Sequence, residues 1–107
     1  MNTAVNADSV LLTLIVPHAV EDSVLDLLLA HPDLVKGFTT TRGEGHGAAV
    51  ELLAPREQVR GSARRLAVRM VTARATADAV IALLREHLPR ANLFYWITPV
   101  LDAGRIE

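Results

Sequence analysis

The stretch Val10–Val16, VLLTLIV, decides the fold that this sequence predicts. Six of its seven residues are apolar, which is typical of a short strand that is buried on both faces. A strand of similar pattern returns 56 residues later, and the same offset aligns the segments that follow each strand. The matched pairs are Val10 with Leu66, Leu12 with Val68, Leu14 with Met70, Asp22 with Asp78, Val24 with Val80, Leu27 with Leu83, Leu28 with Leu84, His31 with His87 and Phe38 with Phe94. The pattern therefore indicates an internal duplication.

Each half of the duplication predicts a strand, a helix and a second strand. Apolar residues at helical spacing follow the first strand and end at His31, because the residue before Pro32 disfavours the helical conformation. LVKGFTTTR, residues 34–42, is the predicted second strand. In the second half, Thr76 is the expected helix N-cap, and NLFYWITPVL is the last strand, with Pro99 marking an edge or a bulge. The predicted fold is α+β, a ferredoxin-like β-α-β-β-α-β sandwich with a four-stranded antiparallel sheet and two helices on one face.

Composition narrows the range of functions. The 107 residues are expected to form a single domain, 1–107, with residues 1–8 as a flexible tail. A net charge of −1 argues against nucleic acid as a partner, and the lack of cysteine excludes disulfides and thiolate ligands. No secretory signal is recognisable, so a cytoplasmic location is expected. The sequence has no nucleophile elbow, no His-Glu-x-x-His pattern and no paired acids at useful spacing, so we expect no enzymatic activity.

The first strand also predicts self-association. It is apolar on both faces, whereas the helices of such a sandwich cover only one, so a second subunit is the expected cover. Arg65 and Arg69 would lie on the uncovered face, because they alternate with the apolar residues Leu66, Val68 and Met70. Two interpretations of these arginines remain open: ion pairs with carboxylates of another subunit, or an anion site inside the oligomer.

A glycine-rich segment separates the two halves. Residues 42–53 read RGEGHGAAVELL, with glycines at 43, 45 and 47 around one histidine. The segment lacks the Gly-Lys-Ser/Thr ending of a Walker A loop and does not match G-x-G-x-x-G. As a metal site it offers His46 with Glu44 and Glu51 as oxygen ligands, whereas zinc sites commonly need three or four ligands. A mobile loop that becomes ordered on binding is the interpretation that we favour, because glycine loses the most conformational freedom when it is fixed.

The other histidines predict structural roles. His31 and His87 occupy matching positions at helix C-termini, where the helix dipole favours a cation. His18 follows Pro17 in the first strand-to-helix turn, and we expect it to face solvent rather than bind a ligand.

Several phrases of the sequence carry a family resemblance. They are LTLIVPHAVEDSVLDLLLAHPDLVKGFTT, GEGHG, EQVRG and YWITPVLDAGRIE, and together they span roughly residues 9–107. With them the chain resembles the PII-like signal-transduction proteins and their CutA relatives. It is most similar to a branch of short PII-like proteins that are often encoded beside heavy-metal efflux pumps.

This resemblance implies a homotrimer with ligand-binding clefts between subunits. Residues 42–60 would correspond to the T-loop, which contacts a partner protein such as a membrane transporter once a small effector has bound. The implied cleft residues are Thr39, Thr40, Thr41, Arg42, Gly43, Arg60, Arg64 and Arg90. PII proteins that bind ATP carry glycines in the turn before the last strand, whereas this chain reads EHLPRANLF there, so the resemblance leaves the effector unnamed and predicts weak ATP binding. The alternatives are a metal-tolerance protein of the CutA kind and a purely structural trimer.

Overall fold

The computed structural model describes residues 8–47 and 62–107 of the chain. Within them, strand β1 spans Ser9–Pro17, a single 3-10 turn spans His18–Val20, and helix α1 spans Glu21–Leu29. Strand β2 spans Thr39–His46 and strand β3 spans Ser62–Ala73. Helix α2 spans Arg74–His87 and strand β4 spans Phe94–Pro99. This order confirms the predicted β-α-β-β-α-β fold.

The four strands form one antiparallel sheet in the order β2-β3-β1-β4. The two strands with the strongest apolar pattern, β1 and β3, are therefore central, and β2 and β4 are the edges. Pro99 ends β4 at one of these edges, where its missing N–H costs no ladder hydrogen bond. The position of this proline agrees with the edge that the sequence predicts.

The core lies between the sheet and the two helices. Successive residues of β1 point to opposite faces, and its even-numbered residues, such as Leu12 and Leu14, are almost fully buried. They pack with the even-numbered residues of β3 and with the apolar stripes of both helices, including Val24 and Val80. Both helices therefore cover the same face of the sheet, which we call the helix face; the other is the open face.

Helix α2 begins three residues earlier than predicted. Ala73 occupies the N-cap position and makes no side-chain capping bond, so Thr76 lies inside the first turn. The Arg74 N–H donates instead to the carbonyl oxygen of Asp8 at 3.1 Å. A backbone acceptor from the residue before β1 thus takes the place of a side-chain cap. The same bond ties down Asp8, which the sequence assigns to a flexible tail.

Strand β2 is displaced along the sequence relative to its prediction. Residues 34 and 35 form a turn, in which their N–H groups donate to the His31 carbonyl oxygen at 3.1 and 2.8 Å. At the other end, Arg42–His46 continue the strand and pair with Ser62–Leu66 of β3. The long partner strand extends the ladder into a glycine-rich stretch that local propensity assigns to a loop.

The change in β2 affects the predicted excursion. Gly43 and Gly45 are strand residues, and Gly47, with φ of 114°, leaves the strand in a conformation that favours glycine. The excursion that the sequence places at 42–60 therefore begins later, and its residues 48–60 lie outside the described part of the chain. Within that part, neither helix has the length and apolar character needed to cross a bilayer.

Candidate functional site

The pleat of strand β2 divides the predicted cleft residues between the two faces of the sheet. Thr39, Thr41 and Gly43 pair with Arg69, Ala67 and Arg65 and lie on the open face. Thr40, Arg42 and Glu44 pair with Val68, Leu66 and Arg64 and lie on the helix face. The predicted set therefore forms two groups within one subunit, because residues one position apart on a strand point in opposite directions.

Two other predicted cleft residues do not join these groups in a single chain. Arg90 lies in the turn between α2 and β4, at the opposite edge of the sheet from β2. Arg60 lies outside the described residues. Within one subunit, Arg42 and Arg64 share the helix face, whereas Thr39, Thr41 and Gly43 lie on the open face.

On the helix face, Glu21 forms the centre of a charged network. It is the first residue of α1, and it is only 5% exposed although it is a carboxylate. Arg42 Nη1 lies 3.0 Å from each of its two carboxylate oxygens. His18 Nδ1 lies 2.8 Å from Oε2. The network fixes Arg42, and with it the strand that leads into the excursion, against the start of α1.

Electrostatics in this network favour the ionised carboxylate. Burial by itself would raise the pKa of Glu21, but the hydrogen bonds and charges of Arg42 and His18 outweigh it and lower the pKa below its ordinary value of 4.5. Reciprocally, Glu21 raises the pKa of the Arg42 guanidinium. The pair is therefore held in its charged form at neutral pH.

The open face carries a second polar group. Arg69 Nη1 donates to the Thr41 hydroxyl oxygen at 2.9 Å, and Arg65 Nη1 donates to the backbone carbonyl oxygen of Arg64 at 2.9 Å. Thr13, which lies across from Arg69 on β1, is buried, and its hydroxyl has no hydrogen-bond partner among the described residues. The prediction that Arg65 and Arg69 point away from the helices is correct.

Two cavities flank the end of the β2–β3 ribbon. One has a volume of about 290 Å³ and is lined by Arg42, Gly43, Glu44, Arg64 and Arg65. The other has a volume of about 350 Å³ and extends over the open face; it is lined by Ile15, Thr41, Arg42, Gly43, Glu44, Gly45, Arg65, Ala67 and Arg69. Guanidinium groups border both cavities, together with the carboxylate of Glu44. The guanidinium groups are the ones that could recognise an anion there.

The predicted metal ligands are only partly assembled. His46 Nε2 lies 3.8 Å from Glu44 Oε1, and both residues project from the same face of β2. Glu51 lies outside the described residues. Across 8–47 and 62–107, no group of three or more histidine, cysteine, aspartate or glutamate side chains is placed to hold a metal ion. One subunit's described residues thus supply two ligands, fewer than the three or four of a common zinc site.

The contacts of His31 and His18 bear on the roles that the sequence predicts for them. His31 Nδ1 bonds to the Leu27 carbonyl oxygen at 2.9 Å and so satisfies an end of α1, which agrees with a structural role. Its ring centroid lies 6.3 Å from that of His87. His18 is exposed, as the sequence predicts, and its ring also bonds to Glu21, a contact that the sequence does not predict.

Glu21 is the residue that sequence reasoning misses. The sequence presents Glu21 and Asp22 as two equivalent acids in the first turn of a helix, where both favour the helix dipole. The structure buries Glu21 and leaves Asp22 exposed. The sequence does not distinguish them, because the arginine partner of Glu21 is 21 residues away, on strand β2.

Comparisons with known proteins agree with this architecture. A search of curated proteins gave no match. Among solved structures, a DUF3240 family protein from Shewanella baltica OS155 is 19% identical, with a TM-score of 0.75 over 95% of this chain and 100% of that one. CPII, a nitrogen regulatory PII-like protein from Thiomonas intermedia K12, bound to ADP, AMP and bicarbonate, is 15% identical, with a TM-score of 0.65 over 92% and 96% of the two chains.

A third structure has the same fold. CutA from Synechococcus elongatus PCC7942, complexed with a Bis-Tris molecule, is 16% identical, with a TM-score of 0.70 over 95% of this chain and 90% of that one. At these identities the similarity establishes the fold, which this chain shares with a PII-like protein and with CutA. The family model described as "Protein of unknown function (DUF3240)" matches residues 6–107, and the chain therefore belongs to the DUF3240 family.

Proposed function

We propose that this chain is a non-enzymatic, PII-like regulatory protein that binds a small anionic ligand at clefts between its subunits. The observation that carries the proposal is the Arg42–Glu21 contact, in which a buried carboxylate holds a guanidinium at the border of a cavity. An anion that binds this guanidinium competes with Glu21 for it. Binding would therefore loosen the contact between α1 and the strand that leads into residues 48–60.

Self-association is the second part of the proposal. The open face presents large apolar side chains, with Phe94 65%, Val71 48% and Trp96 40% exposed. A second subunit of a homotrimer would cover them. The arrangement of edges fits this assembly, because β2 and β4 lie at opposite sides of the sheet. Arg42 and Arg64 of one copy would meet Arg90 of another only across such an interface.

The choice of ligands to test follows from the related structures. CPII was solved with ADP, AMP and bicarbonate, all of which are anions that guanidinium groups recognise. We expect ATP to bind weakly. The turn before β4 reaches its positive φ of 60° through Asn92 rather than a glycine, so a side chain occupies the place where a bare backbone would approach phosphate.

We propose that the ligand-bound protein signals to a membrane transporter, such as a heavy-metal efflux system. The support is the sequence resemblance to short PII-like proteins encoded beside such pumps, together with an excursion that starts at the end of β2. Ordering or release of such a segment is a known kind of switch.

Titration calorimetry tests the ligand part of the proposal. The full-length protein would be titrated with AMP, ADP, ATP and bicarbonate, alongside the variants Arg42→Gln and Arg74→Gln. Arg74 is a matched control, because it is an exposed arginine on α2 that pairs with Asp78, away from the cavities. We expect at least one anion to bind, and Arg42→Gln to weaken it by about tenfold while Arg74→Gln leaves it unchanged. If none of the four binds, the proposal fails and a purely structural oligomer becomes the better interpretation.

A metal-tolerance role is the second candidate, and one observation favours it. His46 and Glu44 place an imidazole and a carboxylate 3.8 Å apart at the end of β2. Three copies of His46 in a trimer, or Glu51 from the segment outside the described residues, would complete the ligand set.

A further inference from the structure

Two histidines from the two halves of the duplication lie beside each other. His31 follows the end of α1, and His87 is the last residue of α2. Their ring centroids are 6.3 Å apart, and the ring planes are inclined at 44°. Neither residue lines the two cavities beside the β2–β3 ribbon. The proposed function therefore makes no use of this pair.

The structure holds the ring of His31 in one tautomer. Its Nδ1 lies 2.9 Å from the carbonyl oxygen of Leu27, and because a carbonyl oxygen only accepts, Nδ1 carries the hydrogen. In the neutral imidazole, the lone pair is then on Nε2. Histidines that bind metal ions commonly donate their other ring N–H to a carbonyl in this way. The backbone is held as well, since the His31 carbonyl oxygen accepts hydrogen bonds from the N–H groups of Leu34 and Val35.

The separation of the two rings favours one coordination geometry. With a metal–nitrogen bond of about 2.0 Å and a nitrogen about 1.1 Å from its ring centroid, two imidazoles on opposite sides of an ion have centroids about 6.2 Å apart. At a tetrahedral angle the separation falls to about 5 Å. The observed 6.3 Å fits the first arrangement. Tetragonal and square-planar coordination by nitrogen and oxygen is typical of Cu²⁺ and Ni²⁺, whereas Zn²⁺ is usually tetrahedral.

The second ring is free to adjust to an ion. His87 is exposed, so rotation about its side-chain bonds can turn a ring nitrogen towards His31. Across residues 8–47 and 62–107, no third histidine, cysteine, aspartate or glutamate joins the pair. Water molecules would therefore fill the remaining positions around an ion. A site with two protein ligands favours Cu²⁺, because the affinity of nitrogen ligands for divalent ions is highest for copper.

We propose that His31 and His87 bind a divalent metal ion of square-planar preference, Cu²⁺ or Ni²⁺, through two imidazole nitrogens on opposite sides of the ion. The ion links the end of α1 to the end of α2 and so stabilises the folded chain. This site goes beyond the proposed function and shares no residue with it. It is also separate from the pair of His46 and Glu44, and it forms within one subunit.

Titration calorimetry with copper tests the site. The full-length protein would be titrated with Cu²⁺ in a buffer that contains glycine, a chelator that competes for weakly held copper. We expect one saturable site, which His87→Asn weakens at least about tenfold. His46→Asn is the matched control, because His46 is also an exposed histidine, and it should leave the site unchanged. Copper binding that survives His87→Asn, or that His46→Asn weakens equally, would overturn the proposal.

Electron paramagnetic resonance of the copper-loaded protein tests the ligands directly. The wild-type spectrum should show hyperfine splitting from two imidazole nitrogens, and the His87→Asn spectrum should show one. His31→Gln should also lose one nitrogen; if the loss of its bond to Leu27 prevents folding, the exposed His87 carries the test alone. A single imidazole nitrogen in the wild type would contradict the site. Displacement of the copper by an equal concentration of Zn²⁺ would contradict the geometry, since zinc should bind this pair too weakly for calorimetry to detect.

The same variants separate this inference from the proposed function. Copper binding that depends on His87, in a protein that binds none of the four anions, supports the metal site and rejects the effector proposal alone. Anion binding that depends on Arg42, in a protein without the copper site, has the opposite meaning.

Discussion

Replacing Glu21 with glutamine should destabilise the protein, whereas the same change at its neighbour should not. Glu21→Gln keeps the shape of the side chain but removes the charge that Arg42 and His18 contact at 3.0 and 2.8 Å. Asp22→Asn is the matched control, because Asp22 is exposed and lies in the same first turn of α1. Any general effect of losing an acid at a helix N-terminus is common to both variants.

The expected size follows from the geometry of the contacts. A hydrogen bond to a charged group contributes about 1.5–3 kcal/mol, and one between neutral groups contributes about 0.5–1.5 kcal/mol. Glutamine retains one acceptor oxygen, so each of the two contacts weakens rather than disappears. The side chains of Arg42 and His18 are 63% and 47% exposed, so solvent screens both contacts. We therefore expect Glu21→Gln to cost about 1 kcal/mol of the free energy of unfolding and Asp22→Asn to stay within about 0.5 kcal/mol.

The difference should also depend on pH. The pKa of Glu21 is lower in the folded protein than its ordinary value of 4.5, so its ionised form stabilises the fold at pH values above 4.5. That stabilisation is lost as the pH falls through the lowered, folded-state pKa. The gap between wild type and Glu21→Gln should thus be full at pH 7 and should close under acid conditions, while Asp22→Asn shows no comparable change.

Urea denaturation at pH 7 and at several values below 4.5 measures this gap. The three proteins would be compared at one protein concentration, because self-association makes the apparent stability depend on concentration. Equal stability of Glu21→Gln and Asp22→Asn at pH 7 would refute the inference that burial and the Arg42 contact distinguish the two acids. A gap that persists undiminished in acid would refute its electrostatic origin.

Three further predictions concern assembly, the turn before β4 and metal binding. Val71→Asp places a charge on the open face, and light scattering should show that it converts the oligomer to smaller species. Ala79→Asp, on the exposed side of α2, is the control and should leave the oligomer unchanged. A wild-type protein that is already monomeric would contradict the assembly. Asn92→Ala should lower the free energy of unfolding in urea by about 1 kcal/mol, because alanine tolerates a φ of 60° poorly. Asn92→Gly should lower it by less. Equal losses of stability would mean that the side chain of Asn92 matters more than its backbone conformation. His46→Ala should abolish any binding of Zn²⁺ in calorimetry without changing the oligomeric state, and unchanged metal binding would exclude the metal-tolerance candidate.

Local sequence patterns determine the elements of this fold and their order. The apolar run Val10–Val16 and its counterpart 56 residues later have the period and length of central strands, and the helices between strands follow from the spacing of apolar residues. The duplication and the family phrases predict the ferredoxin-like sandwich. The alternation around Leu66, Val68 and Met70 also predicts that Arg65 and Arg69 leave the helix face, and the register confirms it.

Pairing between segments distant in sequence determines features of the fold and the site that local sequence patterns do not predict. The glycines at 43 and 45 predict a loop, yet they extend β2 because the 12-residue strand β3 offers hydrogen-bond partners along its whole length. The pleat separates Arg42 from Thr41 and Gly43, which the sequence places in one cleft. Glu21 and Asp22 occupy equivalent positions in the first turn of α1, but only Glu21 is buried and contacts Arg42 of strand β2. Contacts between residues distant in sequence depend on register and facing direction, and these are fixed only when the sheet assembles.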